Sequence, residues 1–135
     1  MFDTKTAIVL RDDLASWQAL NVTAFLMSGI VAQEPGMIGE PYRDRDGHFY
    51  NPLSVQPVIV LAAGAATLTA IHKRALARGL TVSLYVEAMF STGHDAANRE
   101  AFARFGADDD AAVGIALRED KKTVDKVTKG ARMHP

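Results

Sequence analysis

The chain has 135 residues, enough for one domain around one hydrophobic core. Fifteen Lys and Arg residues against sixteen Asp and Glu residues give a formal net charge of -1, which argues against a dedicated non-specific nucleic-acid binder. Cysteine is absent, so disulfides, thiolate nucleophiles and cysteine-ligated zinc are excluded. The longest mostly apolar stretch, residues 19–32, is too short to cross a bilayer, and the apolar run at the N-terminus is too short for a signal peptide. We expect a cytoplasmic protein without a membrane partner.

The first elements are predicted to be a strand and a long helix. Residues 6–10 are a β-rich apolar run, typical of a strand that is buried on both faces. The helix is predicted over about 14–31 and is apolar around most of its circumference. One of its faces carries Leu20, Ala24, Met27 and Val31. We therefore expect this helix to be heavily buried, in part against a partner chain.

An insertion follows over about residues 33–51. It is rich in Pro and Gly, and Asp46-Gly47 lies between aromatic residues, which predicts a tight hairpin turn. Inserted segments of this length are usually functional or interfacial. The apolar helix and the aromatic hairpin together predict a homo-oligomer.

The rest of the chain alternates between predicted strands and helices. Strands are predicted over 58–63, 81–86 and 112–117, and helices over 66–78, over the later part of 91–106 and over 121–129. This alternation favours a single α/β domain over 1–135, with three layers in the order α/β/α and a four-stranded, mostly parallel mixed sheet. In such sheets ligands bind beyond the carboxyl ends of the strands.

Charged residues follow the predicted first and third strands. Glu87 ends an apolar strand and is a candidate catalytic general base, or else a helix-capping or salt-bridged carboxylate. Arg11 and Asp12 are candidate ligand-binding groups facing the same crevice, or else members of a structural ion pair.

The start of the first helix offers three further candidates for ligand binding. Gln18 and Asn21 could give amide hydrogen bonds to a ligand, with Trp17 as an apolar wall. The alternative is that Trp17 is core and both amides satisfy backbone groups. A separate segment, residues 91–95, offers Thr92 as a ligand contact and His94 as a catalytic base beside an Asp, or else a helix cap.

No cofactor is expected, because the sequence contains neither a dinucleotide-binding nor a Walker-type glycine pattern. The histidines have no metal-binding spacing, so no metal is expected either. Near the C-terminus, Lys122, Lys126 and Lys129 share one helix face. That face could contact phosphates, as in tRNA binding, or be a solvated surface.

Three segments carry a family resemblance: AIVLRDDL at residues 7–14, LYVE at 84–87 and VDKVT at 124–128. In all three the chain resembles the peptidyl-tRNA hydrolase II family, which implies the fold of that family. The whole sequence, including WQALNV, GEPYRD, FSTGHD and VDKVTKGARMHP, is more similar to an uncharacterised bacterial family of unknown function that is placed beside that enzyme by fold.

The resemblance carries over only some of the hydrolase residues. Glu87 matches an acidic residue that follows the third strand in that family. A Gly-Lys pair and a His are expected in the first helix, but residues 14–30 contain neither Lys nor His. The resemblance therefore implies the scaffold and one acid, without the cation and the His.

Three hypotheses about function remain open. The first is a small-ligand-binding or hydrolytic protein of unassigned reaction, with a small molecule as its partner. The second is a divergent peptidyl-tRNA hydrolase, with tRNA as its partner. The third is a non-catalytic, homo-oligomeric interaction module. Whether the protein is an enzyme is left undecided by these residues.

Overall fold

The computed structural model describes residues 2–135, which form a five-stranded mixed sheet, a small two-stranded sheet and four α-helices. The strands are β1 (Thr4–Arg11), β2 (Tyr42–Arg43), β3 (Phe49–Tyr50), β4 (Val58–Ala63), β5 (Ser83–Val86), β6 (Ala112–Asp120) and β7 (Arg132–Met133). The helices are α1 (Ser16–Gln33), α2 (Ala65–Ala77), α3 (Asp95–Ala103) and α4 (Lys121–Val127). Two short 3-10 helices cover Pro35–Met37 and Glu87–Ser91.

The large sheet has the strand order β5-β6-β1-β4-β7. β1 is parallel to β4, whereas β6 is antiparallel to both of its neighbours and β7 is antiparallel to β4. The prediction of four mostly parallel strands was therefore wrong in strand number and in direction. Alternating strands and helices do not distinguish a crossover from an excursion that starts and ends at one edge of the sheet. The segment between β5 and β6, which contains α3, is such an excursion.

Strand β1 lies in the middle of the sheet and is buried on both faces, as its sequence predicted. Ala7 and Val9 belong to a core cluster with α2 and α4, and Ile8 and Leu10 belong to a second cluster with α1. Because alternate side chains of a strand point to opposite faces, helices cover both faces of the sheet.

Helix α1 packs on the sheet through Val22, Leu26 and Ile30, which are at most 2% exposed. Leu20, on the face selected by sequence, is instead 73% exposed. The helix approaches the sheet closely at Gly114, because this residue has no side chain. A Cβ added there would lie 2.7 Å from a methyl group of Val22. Because α1 is apolar on almost all sides, its sequence does not determine which side is buried. The close approach of the sheet at Gly114 determines it instead.

The insertion contains the predicted hairpin, formed by β2 and β3. Asp44 accepts hydrogen bonds from the backbone N–H groups of Asp46 and His48, both at 2.9 Å. Gly47 has a φ of 90°, a left-handed conformation that glycine adopts without a steric cost. No helix within residues 2–135 is both long enough and apolar enough to cross a membrane.

Candidate functional site

A cavity of about 290 Å³ opens between the first half of α1 and the start of α3. Strands β1, β4 and β5 run in the same direction, so their carboxyl ends meet at one edge of the sheet, and the cavity lies beside the last residues of β5. Its lining comprises Trp17, Asn21, Phe25, Tyr85, Met89, Phe90, Thr92, Gly93, His94, Asp95 and Asn98. Four of the predicted site residues therefore share this cavity: Trp17, Asn21, Thr92 and His94.

Four aromatic rings line the cavity in a continuous chain, which we call the aromatic wall: Trp17, Phe90, Tyr85 and Phe25. The successive ring centroids lie 5.9, 5.2 and 5.9 Å apart, with interplanar angles of 71°, 47° and 59°. These are favourable tilted contacts between aromatic rings. Trp17 and Phe25 are nevertheless 62% and 52% exposed, so the wall presents apolar surface to solvent.

Asn21 interrupts the aromatic wall along α1. Trp17, Asn21 and Phe25 follow one another at four-residue intervals, which places them on one side of the helix. Other polar side chains of α1 bond back to the helix: Thr23 donates to the carbonyl of Ala19 at 2.7 Å. The half-buried Asn21 amide has no hydrogen-bond partner within residues 2–135. Its donor and acceptor are therefore available to a ligand.

Tyr85 supplies a second unpaired polar group. The residue is 5% exposed and lines the cavity, and its hydroxyl makes no hydrogen bond within residues 2–135. Burial raises the pKa of Tyr85 above its usual value of 10.0, so the hydroxyl stays protonated at neutral pH. The hydroxyl oxygen is not fully enclosed and faces the water of the cavity, so a ligand that displaces this water can bond to it.

His94 is the N-cap of α3, as one of the two sequence interpretations held. Its Nδ1 accepts the Ala97 backbone N–H at 3.2 Å, so the proton of the neutral ring is on Nε2. The neighbouring Asp95 accepts from Arg99 at 2.7 Å and does not orient the imidazole. In this arrangement His94 offers a hydrogen-bond donor to the cavity, not a base assisted by a carboxylate.

Thr92 and Gln18 are both occupied by local contacts. The Thr92 hydroxyl donates to the Met89 carbonyl at 2.8 Å and also contacts the Asn98 side chain. Gln18 Oε1 accepts the Ala15 backbone N–H at 3.0 Å at the start of α1, and Gln18 does not line the cavity. The Gln18 amide therefore satisfies a backbone group at the start of α1, which was the alternative to ligand binding.

The charged residues at the strand ends form ion pairs outside the cavity lining. Arg11 donates to Glu87 at 3.0 Å and to Asp13 at 2.6 Å. Asp12 accepts from Arg132 of β7 at 3.0 Å. The Glu87 side chain is 60% exposed, is paired with Arg11 and does not line the cavity, so it is not placed to act on a ligand bound there.

The hairpin brings together a second group of titratable residues. The side-chain atoms of Asp44, Asp46 and His48 that could bind a metal ion all lie within 4.8 Å of one another. Asp44 also accepts from the Tyr50 hydroxyl at 2.6 Å. This bond and those from His48 and Asp46 lower the pKa of Asp44 below its usual value of 3.8. The Asp44 oxygens are thus already used within the turn.

Sequence reasoning missed most of the aromatic wall. Only Trp17 was predicted as a cavity wall, and Tyr85 was predicted only as part of a strand. The four-residue spacing that joins Trp17, Asn21 and Phe25 was a usable signal. The contacts of Tyr85 and Phe90 with α1 depend on tertiary packing and left no signal in the sequence.

Comparison with known proteins places the chain in a family. No curated protein matches it with significant similarity. A solved structure of a protein of unknown function, Atu0240 from Agrobacterium tumefaciens strain C58, is 62% identical over 100% of both chains, with a TM-score of 0.98. The family model described as "Protein of unknown function (DUF2000)" matches residues 4–135. The chain therefore belongs to the DUF2000 family.

Proposed function

We propose that this protein binds a small organic molecule in the cavity between α1 and α3. The observation that carries the proposal is the pair of unpaired polar groups, the Asn21 amide and the Tyr85 hydroxyl, on an otherwise apolar aromatic wall. Both groups are reached by solvent from the cavity and have no hydrogen-bond partner within residues 2–135, so a bound ligand would meet them as free donors and acceptors. The cavity also lies beside the carboxyl end of β5, where α/β sheets commonly bind ligands.

Trp17 makes this proposal easy to test, because it is the only tryptophan in the chain and it lines the cavity. One- and two-ring compounds that are neutral, anionic or cationic are screened by Trp17 fluorescence and by ¹H–¹⁵N NMR. We expect binders that shift the amide signals of the cavity lining and bind more weakly to Asn21→Leu. Asn51→Leu, in an exposed loop outside the lining, is the matched control. Failure of every compound to shift the lining signals contradicts the proposal.

We also propose that the scaffold is of the peptidyl-tRNA hydrolase II type. The VDKVT segment supports a shared scaffold, not a shared reaction. Val124 and Val127 are fully buried in the core, and Asp125 pairs with Lys5 at 2.7 Å. The most specific part of the resemblance thus stabilises the fold, and it says nothing about the chemistry.

Hydrolysis of peptidyl-tRNA is a less well supported function for this scaffold than the binding of a small molecule. The cavity lining contains no Lys or Arg, and its one carboxylate, Asp95, is paired with Arg99. The exposed lysines of the C-terminal segment belong to or follow α4, which packs on the opposite face of the sheet from α1. A tRNA held by these lysines would lie away from the cavity. A divergent hydrolase therefore needs a second site that these residues do not form.

Self-association is a second candidate function, favoured by the apolar side chains that α1 leaves exposed to solvent. Trp17, Leu20 and Phe25 are 62%, 73% and 52% exposed there. A second copy would bury this apolar surface, which a monomer leaves in water. Sedimentation of the wild type and of Leu20→Lys tests the idea: we expect a dimer that the charge dissociates. A wild-type protein that is entirely monomeric at tens of micromolar contradicts it.

A further inference from the structure

The hydrogen-bonding groups left free in the cavity are all uncharged. They are the Asn21 amide, the Tyr85 hydroxyl, the side-chain NH2 of Asn98 and Nε2–H of His94, whose Nδ1 is used as a helix cap. The lining has one carboxylate, Asp95, which pairs with Arg99 at 2.7 Å, and both side chains are 79% exposed, so water screens these two charges. A charged ligand would lose hydration without gaining an unpaired counter-charge in the cavity. The free groups therefore suit an uncharged ligand.

The aromatic wall suits a flat ligand. Its neighbouring rings lie 5.2–5.9 Å apart between centroids and are tilted by 47–71°, so a flat ring laid on the face of one meets the edges of its neighbours. They form one continuous surface, and Thr92 and His94 belong to the segment between β5 and α3 that completes the lining. A planar ring laid against this surface would make the offset and edge contacts that aromatic groups favour. The volume of about 290 Å³ is small for a ligand pocket and matches one or two rings.

Asn21 defines what the edge of that ring must carry. Its side-chain amide offers one acceptor and a donor side by side, flanked by Trp17 and Phe25 one turn away on either side. The complementary edge is a carbonyl next to an N–H, as in a lactam. Nε2–H of His94 and the Tyr85 hydroxyl can serve further acceptors on the same molecule.

We infer that the ligand of this cavity is an uncharged planar heterocycle with a lactam-type edge, recognised by Asn21. This inference rests on the proposed function, since it names the chemical class that the cavity between α1 and α3 would bind. In this inference the aromatic wall contacts the ring of the ligand, and Asn21 distinguishes between ligands of the same size by the hydrogen-bonding groups on their edge.

The test uses four two-ring compounds that differ in one feature each. They are 2-quinolinone, which has the lactam edge; N-methyl-2-quinolinone, which lacks the N–H; quinoline-2-carboxylate, an anion; and N-methylquinolinium, a cation. Each is titrated into the full-length protein, and the amide signals of the cavity lining report both the location and the Kd. We expect 2-quinolinone to bind about fivefold or more tightly than each of the other three, as the loss of one neutral hydrogen bond implies.

Variants separate hydrogen bonding from the added bulk of the methyl group. In Asn21→Leu, 2-quinolinone and N-methyl-2-quinolinone should bind equally, whereas Asn51→Leu should retain the wild-type preference. A preference that survives in Asn21→Leu, or no preference in the wild type, overturns the inference. Tighter binding of the anion or the cation at the cavity also overturns it, but leaves the proposed function intact. If none of the four compounds shifts the lining signals, the inference is rejected, and the proposed function is rejected as well only if the wider screen of one- and two-ring compounds also finds no binder.

Discussion

Replacing Gly114 by Ala would press a methyl group of β6 into helix α1. The added Cβ would lie 2.7 Å from Val22 Cγ1, 3.0 Å from Leu26 Cδ1 and 3.3 Å from Leu10 Cδ2. All three side chains are at most 2% exposed, so they have little room to move aside. Valine is also restricted in χ1, which leaves the helix itself to shift.

We expect Gly114→Ala to lower the free energy of unfolding by about 1–2 kcal/mol. Overpacking of a core costs about 1–3 kcal/mol, and the lower backbone entropy of Ala in the unfolded chain offsets up to about 1 kcal/mol of that cost. Urea denaturation followed by circular dichroism measures the change. The matched control is Gly93→Ala, because an added Cβ there has no atom within 4 Å and the stability should stay equal or rise slightly.

A second substitution shows whether the clash with Val22 is the cause. Val22→Ala removes the methyl group closest to the new Cβ and alone should cost about 2 kcal/mol, as for other large-to-small core changes. Combined with Gly114→Ala, it should cost less than the sum of the two single changes, by about 1 kcal/mol. Wild-type stability for Gly114→Ala, or strict additivity in the double variant, would refute the reasoning.

Three further predictions concern groups outside the aromatic wall. His72 is 6% exposed with an unpartnered Nδ1, and burial lowers its pKa below the usual 6.5. The unfolded chain therefore binds the proton more readily, and stability should fall as the pH drops through about 6.5, by at most about 1.4 kcal/mol per pH unit. In His72→Phe, which keeps the aromatic contact with Phe105, urea denaturation between pH 7.5 and 5.5 should show a flatter profile, and an unchanged profile contradicts this account. Glu87→Gln breaks a bond with Arg11 at 3.0 Å on a 60% exposed carboxylate, so it should cost less than about 1 kcal/mol in the same assay and leave cavity binding unaltered. A loss of several kcal/mol, or of ligand affinity, would show a larger role for Glu87. Finally, a single-turnover assay with diacetyl-lysyl-tRNA should give a rate at least about tenfold below that of a peptidyl-tRNA hydrolase II control, because loss of a preorganised stabilising group typically costs more than that. Turnover near the control rate that Glu87→Gln abolishes would establish the hydrolase reading instead.

Local chemistry in the sequence was enough to predict several features. The run over residues 6–10 has no polar face, so a strand there had to be covered on both sides, and β1 is. Asp46-Gly47 carries the turn of the predicted hairpin because the positive φ of Gly47 is a local steric requirement. The meeting of strand ends at one edge was also predicted, and Arg11 contacts Glu87 there.

Strand direction and sheet size required the tertiary structure. The sequence of β6 reads the same whether it pairs in parallel or antiparallel, and its direction follows from where the chain returns after α3. β7 has two residues, too few to show any alternation, and it exists because Arg132 and Met133 pair with β4. Neither feature is encoded by a local pattern.

The roles of the candidate site residues were also decided by packing. An apolar helix can bury any of its sides, and the gap above Gly114 selects Val22 and Leu26, which turns Trp17, Asn21 and Phe25 toward the cavity. Arg11 and Glu87 are 76 residues apart in sequence, and Asp12 and Arg132 are 120 apart. Whether a polar side chain is paired or free depends on such distant partners. The sequence therefore predicted Glu87 and Asn21 equally as site residues. Only the fold pairs Glu87 with Arg11 and leaves Asn21 free for a ligand.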